Sequence, residues 1–255
     1  QRATFDGRLT APALSLRPMS APQISILVPA YGEAATIETI IRRVADLGLD
    51  AEIIVVDDGS ADATSEIVTA LGDRLPGVRL IRHERNRGKG AAVRTAIAAS
   101  TGEFVVIQDA DLEYDPADIP KLLQPLLTGV ADVVYGTRLR GGEPQRAHLF
   151  WHYAGNRFLS LMTNVLFNTT ISDMEVGYKA FRGDLVRSLK IVSDDFAFEP
   201  EITARVLLTP GIRLYEVPIS YYGRTYAEGK KITWRDGVKA AWSLLRFRVT
   251  ARPPR

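Results

Sequence analysis

Two short apolar runs in this chain end in acid. Glu52-Ile-Ile-Val-Val-Asp57 and Phe104-Val-Val-Ile-Gln-Asp109 are β-branched and almost uninterrupted, the pattern of strands buried on both faces of a parallel sheet. From Ile24 onward such runs alternate with segments whose apolar residues recur at helical spacing. The pattern predicts strands at Ile24–Pro29, Glu52–Asp57, Val78–Arg82, Phe104–Asp109 and Asp132–Gly136. Between them it predicts helices over Glu33–Leu47, from Ser60 or Asp62 to about Leu71, and over Gly90–Ser100, with another opened by Asp115-Pro116. This βαβα order implies an α/β fold with a doubly wound, Rossmann-like, mostly parallel sheet and flanking helices.

Beyond Gly142 the alternation loosens into a long helix over His148–Phe167, a strand at Tyr178–Phe181 and a helix from about Pro200 to Leu208. A late strand at Arg213–Pro218 and a helix over Trp234–Arg248 follow. Residues before Pro22 read as an irregular, mobile tail. The expected division is a tail over 1–22, a main domain over 23–231, and a basic amphipathic helix with its tail over 232–255.

Composition mostly excludes. A net charge of +2 in 255 residues gives no general case for nucleic-acid binding. There are no cysteines and only three histidines, so disulfides, a thiol nucleophile and a His/Cys zinc centre drop out. Carboxylate-bound Mg²⁺ or Mn²⁺ remains. No apolar run is long enough to span a bilayer, and no signal-peptide pattern is visible.

The chemistry concentrates at strand ends, where open α/β sheets bind ligands. Asp109 and Asp111, spaced Asp-x-Asp, can share a divalent cation that in turn holds a diphosphate. Strand-terminal aspartates also cap helices, so the pair gains weight from its companions. Asn86-Arg-Gly-Lys-Gly90 has the glycines and cations of a phosphate loop, without the spacing of a Walker A motif.

Taken together, Val28-Pro-Ala-Tyr-Gly-Glu33, Val56-Asp-Asp-Gly-Ser60, Asn86-Arg-Gly-Lys-Gly90 and Asp109-Ala-Asp-Leu112 resemble family 2 glycosyltransferases with the GT-A fold. The likeness runs from about Ile24 to Trp242 and is greatest to polyprenyl- and dolichyl-phosphate sugar synthases. It implies a nucleotide-diphosphate sugar donor of the GDP-mannose or UDP-glucose type, with Pro29, Tyr31, Glu33, Asp57, Asp58, Arg87, Lys89 and Asp109 on the donor side. Glu33 reads equally as a first-turn acid matching its helix dipole, and Asp58 as a residue that orients the loop.

The same resemblance makes Asp109 and Asp111 the metal ligands and assigns donor or acceptor phosphate to Arg138 of Tyr135-Gly-Thr-Arg138. Asp173-Met-Glu-Val-Gly-Tyr-Lys179 resembles the acceptor loop, with Asp173 and Lys179 toward the acceptor and Glu175 where a small residue is usual. Glu201 of Phe198-Glu-Pro-Glu201 aligns with an acceptor-side acid, helix capping being its rival. Arg224, Lys230 and Lys231 lie in a segment resembling a mobile basic loop that closes over phosphates. The implied partner is a polyprenyl phosphate at the cytoplasmic face of a membrane, with the protein cytoplasmic and peripheral.

A phosphate monoester is already mostly a dianion near neutrality, its second pKa being about 6, so it needs no general base. Direct displacement with inversion is the expected reaction. Trp234, Val238, Ala241, Trp242, Leu245 and Val249 recur at helical spacing beside Arg235, Lys239, Arg246 and Arg248. That helix suits a membrane surface or packing on the domain. The rival activities are transfer to a hydroxyl, with Asp173, Glu175 or Glu201 as base, and non-catalytic binding of nucleotide sugars.

Overall fold

The computed structural model describes residues 23–144, 146, 150–223 and 234–251. The tail before Gln23 therefore lies outside the described residues. Strands β1 (Ile24–Ala30), β2 (Ala51–Asp57), β3 (Val78–Arg82) and β4 (Phe104–Ile107) alternate with helices α1 (Ile37–Ala45), α2 (Thr64–Gly72) and α3 (Lys89–Ala99). Then come a single 3-10 turn (Pro116–Asp118), α4 (Ile119–Leu127), β5 (Val133–Thr137), α5 (Phe150–Phe167) and β6 (Lys179–Arg182). The order closes with α6 (Gly183–Ser188), α7 (Phe198–Leu207), β7 (Leu214–Pro218) and α8 (Trp234–Thr250).

The seven strands lie in the order β3-β2-β1-β4-β6-β5-β7. β1 pairs in parallel with β2 and β4, and β5 in parallel with β7. β6 runs antiparallel to both its neighbours, β4 and β5. The reversal places the amino end of β6 beside the carboxyl ends of β4 and β5, so the segment leading into Lys179 arrives at the ligand-binding edge. Helix α6 was not expected; at six residues it is too short for periodicity to mark.

Every residue of β1, β4 and β5 is buried, as the continuous apolar runs predict. Ile37, Ile40, Ile41 and Val44 of α1 turn one face onto the sheet core, each fully buried aliphatic contributing about 1.5–3 kcal/mol. A second small core of Leu159, Ile171, Met174, Ala240 and Leu244 joins α5 to α8. Asp115 caps the 3-10 turn by accepting from Ala117 N at 3.1 Å. Of Ser60 and Asp62, the two candidate caps of α2, Asp62 caps its amino end by accepting from Thr64 N at 3.2 Å. Ser60 Oγ accepts from Gly32 N at 2.9 Å, and Asp62 accepts from Ala34 N at 3.2 Å, tying the loop after β1 to the loop after β2.

Candidate active site

The carboxyl ends of these strands open into a cleft of about 1450 Å³. That exceeds the roughly 300–1,000 Å³ usual for one small ligand, leaving room for two substrates. Pro29, Tyr31 and Glu33 are among the cleft's lining residues, with Tyr31 exposed and Glu33 accepting from Thr36 Oγ1 at 3.0 Å. The exposed ring of Tyr31 is of a kind that stacks on planar groups.

The two aspartates after β2 divide their tasks. Asp58 lines the cleft, yet its carboxylate accepts from Arg87 N at 3.0 Å and Gly88 N at 2.7 Å and meets His83 Nδ1 at 2.6 Å. It holds the Asn86–Gly90 loop in place. His83, counted above only against zinc, is buried and braced by Thr95 Oγ1 at 2.9 Å. Asp57, expected on the donor side, is wholly buried. It accepts from Ser60 N at 3.0 Å and from Ser65 Oγ, so it organises the turn and does not reach the cleft.

Gly88 and Gly90 also need correction. Their small size accommodates residues 193–195 more than a nucleotide: a Cβ on Gly88 would collide with Asp194 O, and one on Gly90 with Ser193 O. Gly88 further adopts φ 101°, which side chains rarely allow. The side chain of Arg87 is exposed and outside the cleft lining; its backbone is what the site uses.

At the end of β4, Asp109 and Asp111 both line the cleft. Leu112, immediately after, sits in the left-handed region at φ 62°, a strained turn of the sort found at functional sites. Lys89 Nζ lies 2.9 Å from Asp109 Oδ1 and 3.1 Å from Glu199 Oε1. Burial opposes the lysine's charge, but the two carboxylates prevail and its pKa is raised. Asp111 Oδ1 accepts from Glu113 N at 3.1 Å. Among the described residues no group of three or more His, Asp or Glu could hold a metal alone. Two cleft-facing carboxylates nevertheless fit Mg²⁺ or Mn²⁺, which are commonly held by one or two carboxylates with substrate phosphates and waters.

Arg138, at the carboxyl end of β5, lays its guanidinium on Asp173. Nε and Nη2 donate at 2.7 Å each, and the backbone N of Arg138 donates at 3.0 Å. Asn156 of α5 adds a 2.8 Å bond to Asp173. Burial raises the carboxyl, yet Arg138 more than offsets it, and Asp173 ends below the ordinary carboxylate range. The same guanidinium lies 4.9 Å from the Tyr221 ring centroid, a cation–π distance.

Two acceptor-side expectations are corrected. Lys179 is fully buried, and its ammonium pairs with Glu199 and Val176 O, so it cannot meet an acceptor directly. Glu201 is also fully buried and turns from the cleft to accept from Val192 N at 3.0 Å and Arg205 Nε at 2.6 Å. Its neighbour two residues back, Glu199, reaches the cleft instead. Residues two apart on a helix point to nearly opposite sides, and Phe-Glu-Pro-Glu does not say which side faces in. Arg224, Lys230 and Lys231 lie outside the described residues.

Past Arg138 the lining turns apolar, through Phe150, Trp151 and Phe158 of α5 and Val238 of α8, all largely exposed. α8 buries Ala240, Leu244 and Phe247 and leaves Val238, Trp242, Leu245 and Val249 exposed, so it is packed on one side and apolar on another. No helix among the described residues is long and apolar enough to cross a membrane.

A parallel sheet with one reversed strand, an Asp-x-Asp at the end of β4 and an arginine at the end of β5 define a glycosyltransferase with the GT-A fold. The solved structure of glucosyl-3-phosphoglycerate synthase from Mycobacterium tuberculosis, in complex with Mn²⁺, UDP and phosphoglyceric acid, superposes with TM-score 0.70. It is 24% identical, covering 91% of this chain and 80% of that one. The chain belongs to Glycosyl transferase family 2, whose model matches residues 25–189.

The undecaprenyl-phosphate mannosyltransferase of Micrococcus luteus is 28% identical over 250 residues, covering 89% of this chain and 99% of the relative. The dodecaprenyl-phosphate galacturonate synthase of Rhizobium johnstonii is 26% identical over 84% of this chain. The dolichol-phosphate mannosyltransferase of Pyrococcus furiosus is 28% identical over 82% of it. This chain spans only 63% and 59% of those last two relatives.

Proposed function

We propose that this glycosyltransferase moves a hexose from a nucleoside-diphosphate sugar to a polyprenyl phosphate at a membrane surface. The carrying observation is the cleft's gradient, from the Lys89–Asp109–Asp111 cluster through Arg138 to the exposed apolar flank of α5 and α8. A lipid phosphate has that order of chemistry: an anion to be neutralised, followed by hydrocarbon. The named relatives that act on polyprenyl phosphates support the same acceptor class.

In this reading Tyr31 and Glu33 receive the base, and Lys89 with the Asp109–Asp111 pair receives the diphosphate. Asp109 and Asp111 would hold Mg²⁺ or Mn²⁺, which when bound offsets the charge of the departing diphosphate. Arg138, fixed by Asp173, Asn156 and the Tyr221 ring, orients the acceptor phosphate for attack opposite the leaving group, and the product is inverted. Since the phosphate is already anionic, no proton has to be removed. The protein would work as a peripheral protein at the cytoplasmic face, with α5 and α8 toward the lipid.

The test is transfer of labelled sugar from GDP-mannose and UDP-glucose to polyprenyl phosphate, with Mn²⁺ or Mg²⁺ and then with EDTA. Metal-dependent label in the organic phase is expected. Donor hydrolysis without labelled lipid would sink the acceptor assignment. A hydroxyl acceptor is the second reading, favoured by one observation: Glu175 in the cleft has a carboxyl pushed up to about 7 by burial and by Glu199, in the range of a general base.

A further inference from the structure

Two buried acceptor atoms on residues that line the cleft have no hydrogen-bond partner. Asn156 Oδ1 and Glu175 Oε1 are both enclosed within the protein surface, and both residues line the cleft. Asn156 cannot turn its amide over to relieve this, because its Nδ2 is held by Asp173 Oδ1 at 2.8 Å. Other carboxylates there are already engaged: Asp109 and Glu199 by Lys89, Asp58 by the loop it holds, Asp173 by Arg138. An enclosed acceptor left unpaired is costly, so two of them on residues that line one cleft ask for a ligand that brings donors when the lining shifts to admit it.

Their position says which part of the ligand that is. Glu175 sits midway along the loop between Asp173, which holds Arg138 on the acceptor side, and Gly177, which packs against the Asp109 carboxylate on the diphosphate side. The transferred sugar must lie between those two sides. Phosphates offer acceptors only, and the base is expected beside Tyr31 and Glu33. Sugar hydroxyls are then the donors within reach.

We infer that Glu175 and Asn156 form the subsite for hydroxyls of the transferred sugar, and that they select a neutral hexose over a hexuronate. This rests on the donor assignment proposed above. A uronate replaces the C6 hydroxyl donor with a carboxylate, an acceptor-only anion set against Glu175. A neutral hexose pairs with both.

The experiment is calorimetric titration of wild type, Glu175→Ala, Glu175→Gln and Asn156→Ala with UDP, GDP, UDP-glucose, GDP-mannose and UDP-galacturonate at pH 8. Melting curves establish that each variant is folded. For whichever neutral nucleotide sugar binds wild type, Glu175→Ala and Asn156→Ala should each weaken it about 10- to 100-fold. Glu175→Gln, which keeps an acceptor oxygen, should recover most of the loss and improve the binding of UDP-galacturonate. The bare nucleoside diphosphate should bind all four proteins alike.

Equal affinity of the variants for the nucleotide sugar would overturn the subsite, as would an equal loss for the bare diphosphate. Unchanged donor affinity with kcat abolished in Glu175→Gln would also overturn it and make Glu175 a base toward a hydroxyl acceptor. If the affinities split as stated but no lipid is labelled, the acceptor assignment fails alone and the sugar subsite stands.

Discussion

Glu199 holds Lys89 in front of Asp109: the ammonium lies 3.1 Å from Glu199 Oε1 and 2.9 Å from Asp109 Oδ1. The same carboxylate also pairs with the ammonium of Lys179, which is wholly buried. Glu199→Ala would leave that second ammonium without its counter-ion, at a cost of about 3–5 kcal/mol. Melting should fall by roughly 6–20 °C at about 2–4 °C per kcal/mol. The double variant Glu199→Ala/Lys179→Met should regain most of it. A single variant that melts like wild type would show that the buried pair contributes nothing.

Asp111, whose carboxylate accepts from the Glu113 amide at 3.1 Å, is tested for a metal role with the variant Asp111→Ala. Sugar transfer should drop by about 10²-fold or more, and Mn²⁺ affinity, read by calorimetry, should fall with it. Retained Mn²⁺ affinity would remove Asp111 from the proposed ligand set.

Glu175 gives a pH signature in stability. Burial, reinforced by Glu199, lifts its carboxyl from 4.5 to about 7, so the folded chain keeps a proton that the unfolded chain has released. Between those two values the unfolded state binds fewer protons, and rising pH therefore lowers stability. Glu175→Gln should melt higher than wild type at pH 8, by an equivalent of about 1–3 kcal/mol, and match it at pH 5. The same difference at both pH values would show that ionisation of Glu175 is not the cause.

Gly177 faces the Asp109 carboxylate directly. A Cβ there would overlap Asp109 Oδ2 and stand 2.9 Å from Tyr114 Cε2, and Tyr114 itself accepts from Gly177 N at 3.0 Å. Gly177→Ala should displace the carboxylate and reduce turnover about 10- to 100-fold, in line with the sensitivity of catalysis to small misplacements. Turnover within a factor of two of wild type would mean that the Asp109 rotamer is immaterial.

The strands that read most plainly were those buried on both faces, because a continuous β-branched run has few other homes. β3 carries no such burial, yet its bounds, Val78–Arg82, also match. The place of the Asp109–Asp111 pair in the cleft was legible because strand ends fix where such residues lie, whereas Arg138 was marked only by its family resemblance. What stayed hidden depended on direction and facing. Lys179-Ala-Phe-Arg182 does not state that its strand runs backward, and so Lys179 read as an acceptor-side charge when it is fully buried. Acids close in sequence, such as Asp57 and Asp58 or Glu199 and Glu201, differ only in which one turns inward, and that is set by packing from distant segments. Asn156 gave no signal, being one polar residue on a long helix.

The reversed strand β6 also has an architectural consequence. It stands as a seam between two parallel blocks, β3-β2-β1-β4 on one side and β5-β7 on the other. The loops proposed to face the nucleotide spring from the first block, while Arg138 springs from the second. The loop that feeds β6, carrying Asp173, Glu175 and Gly177, is the piece that touches both. Such a layout lets the second block diverge toward new acceptors while the first keeps its donor chemistry, provided the seam's few residues continue to fit each side.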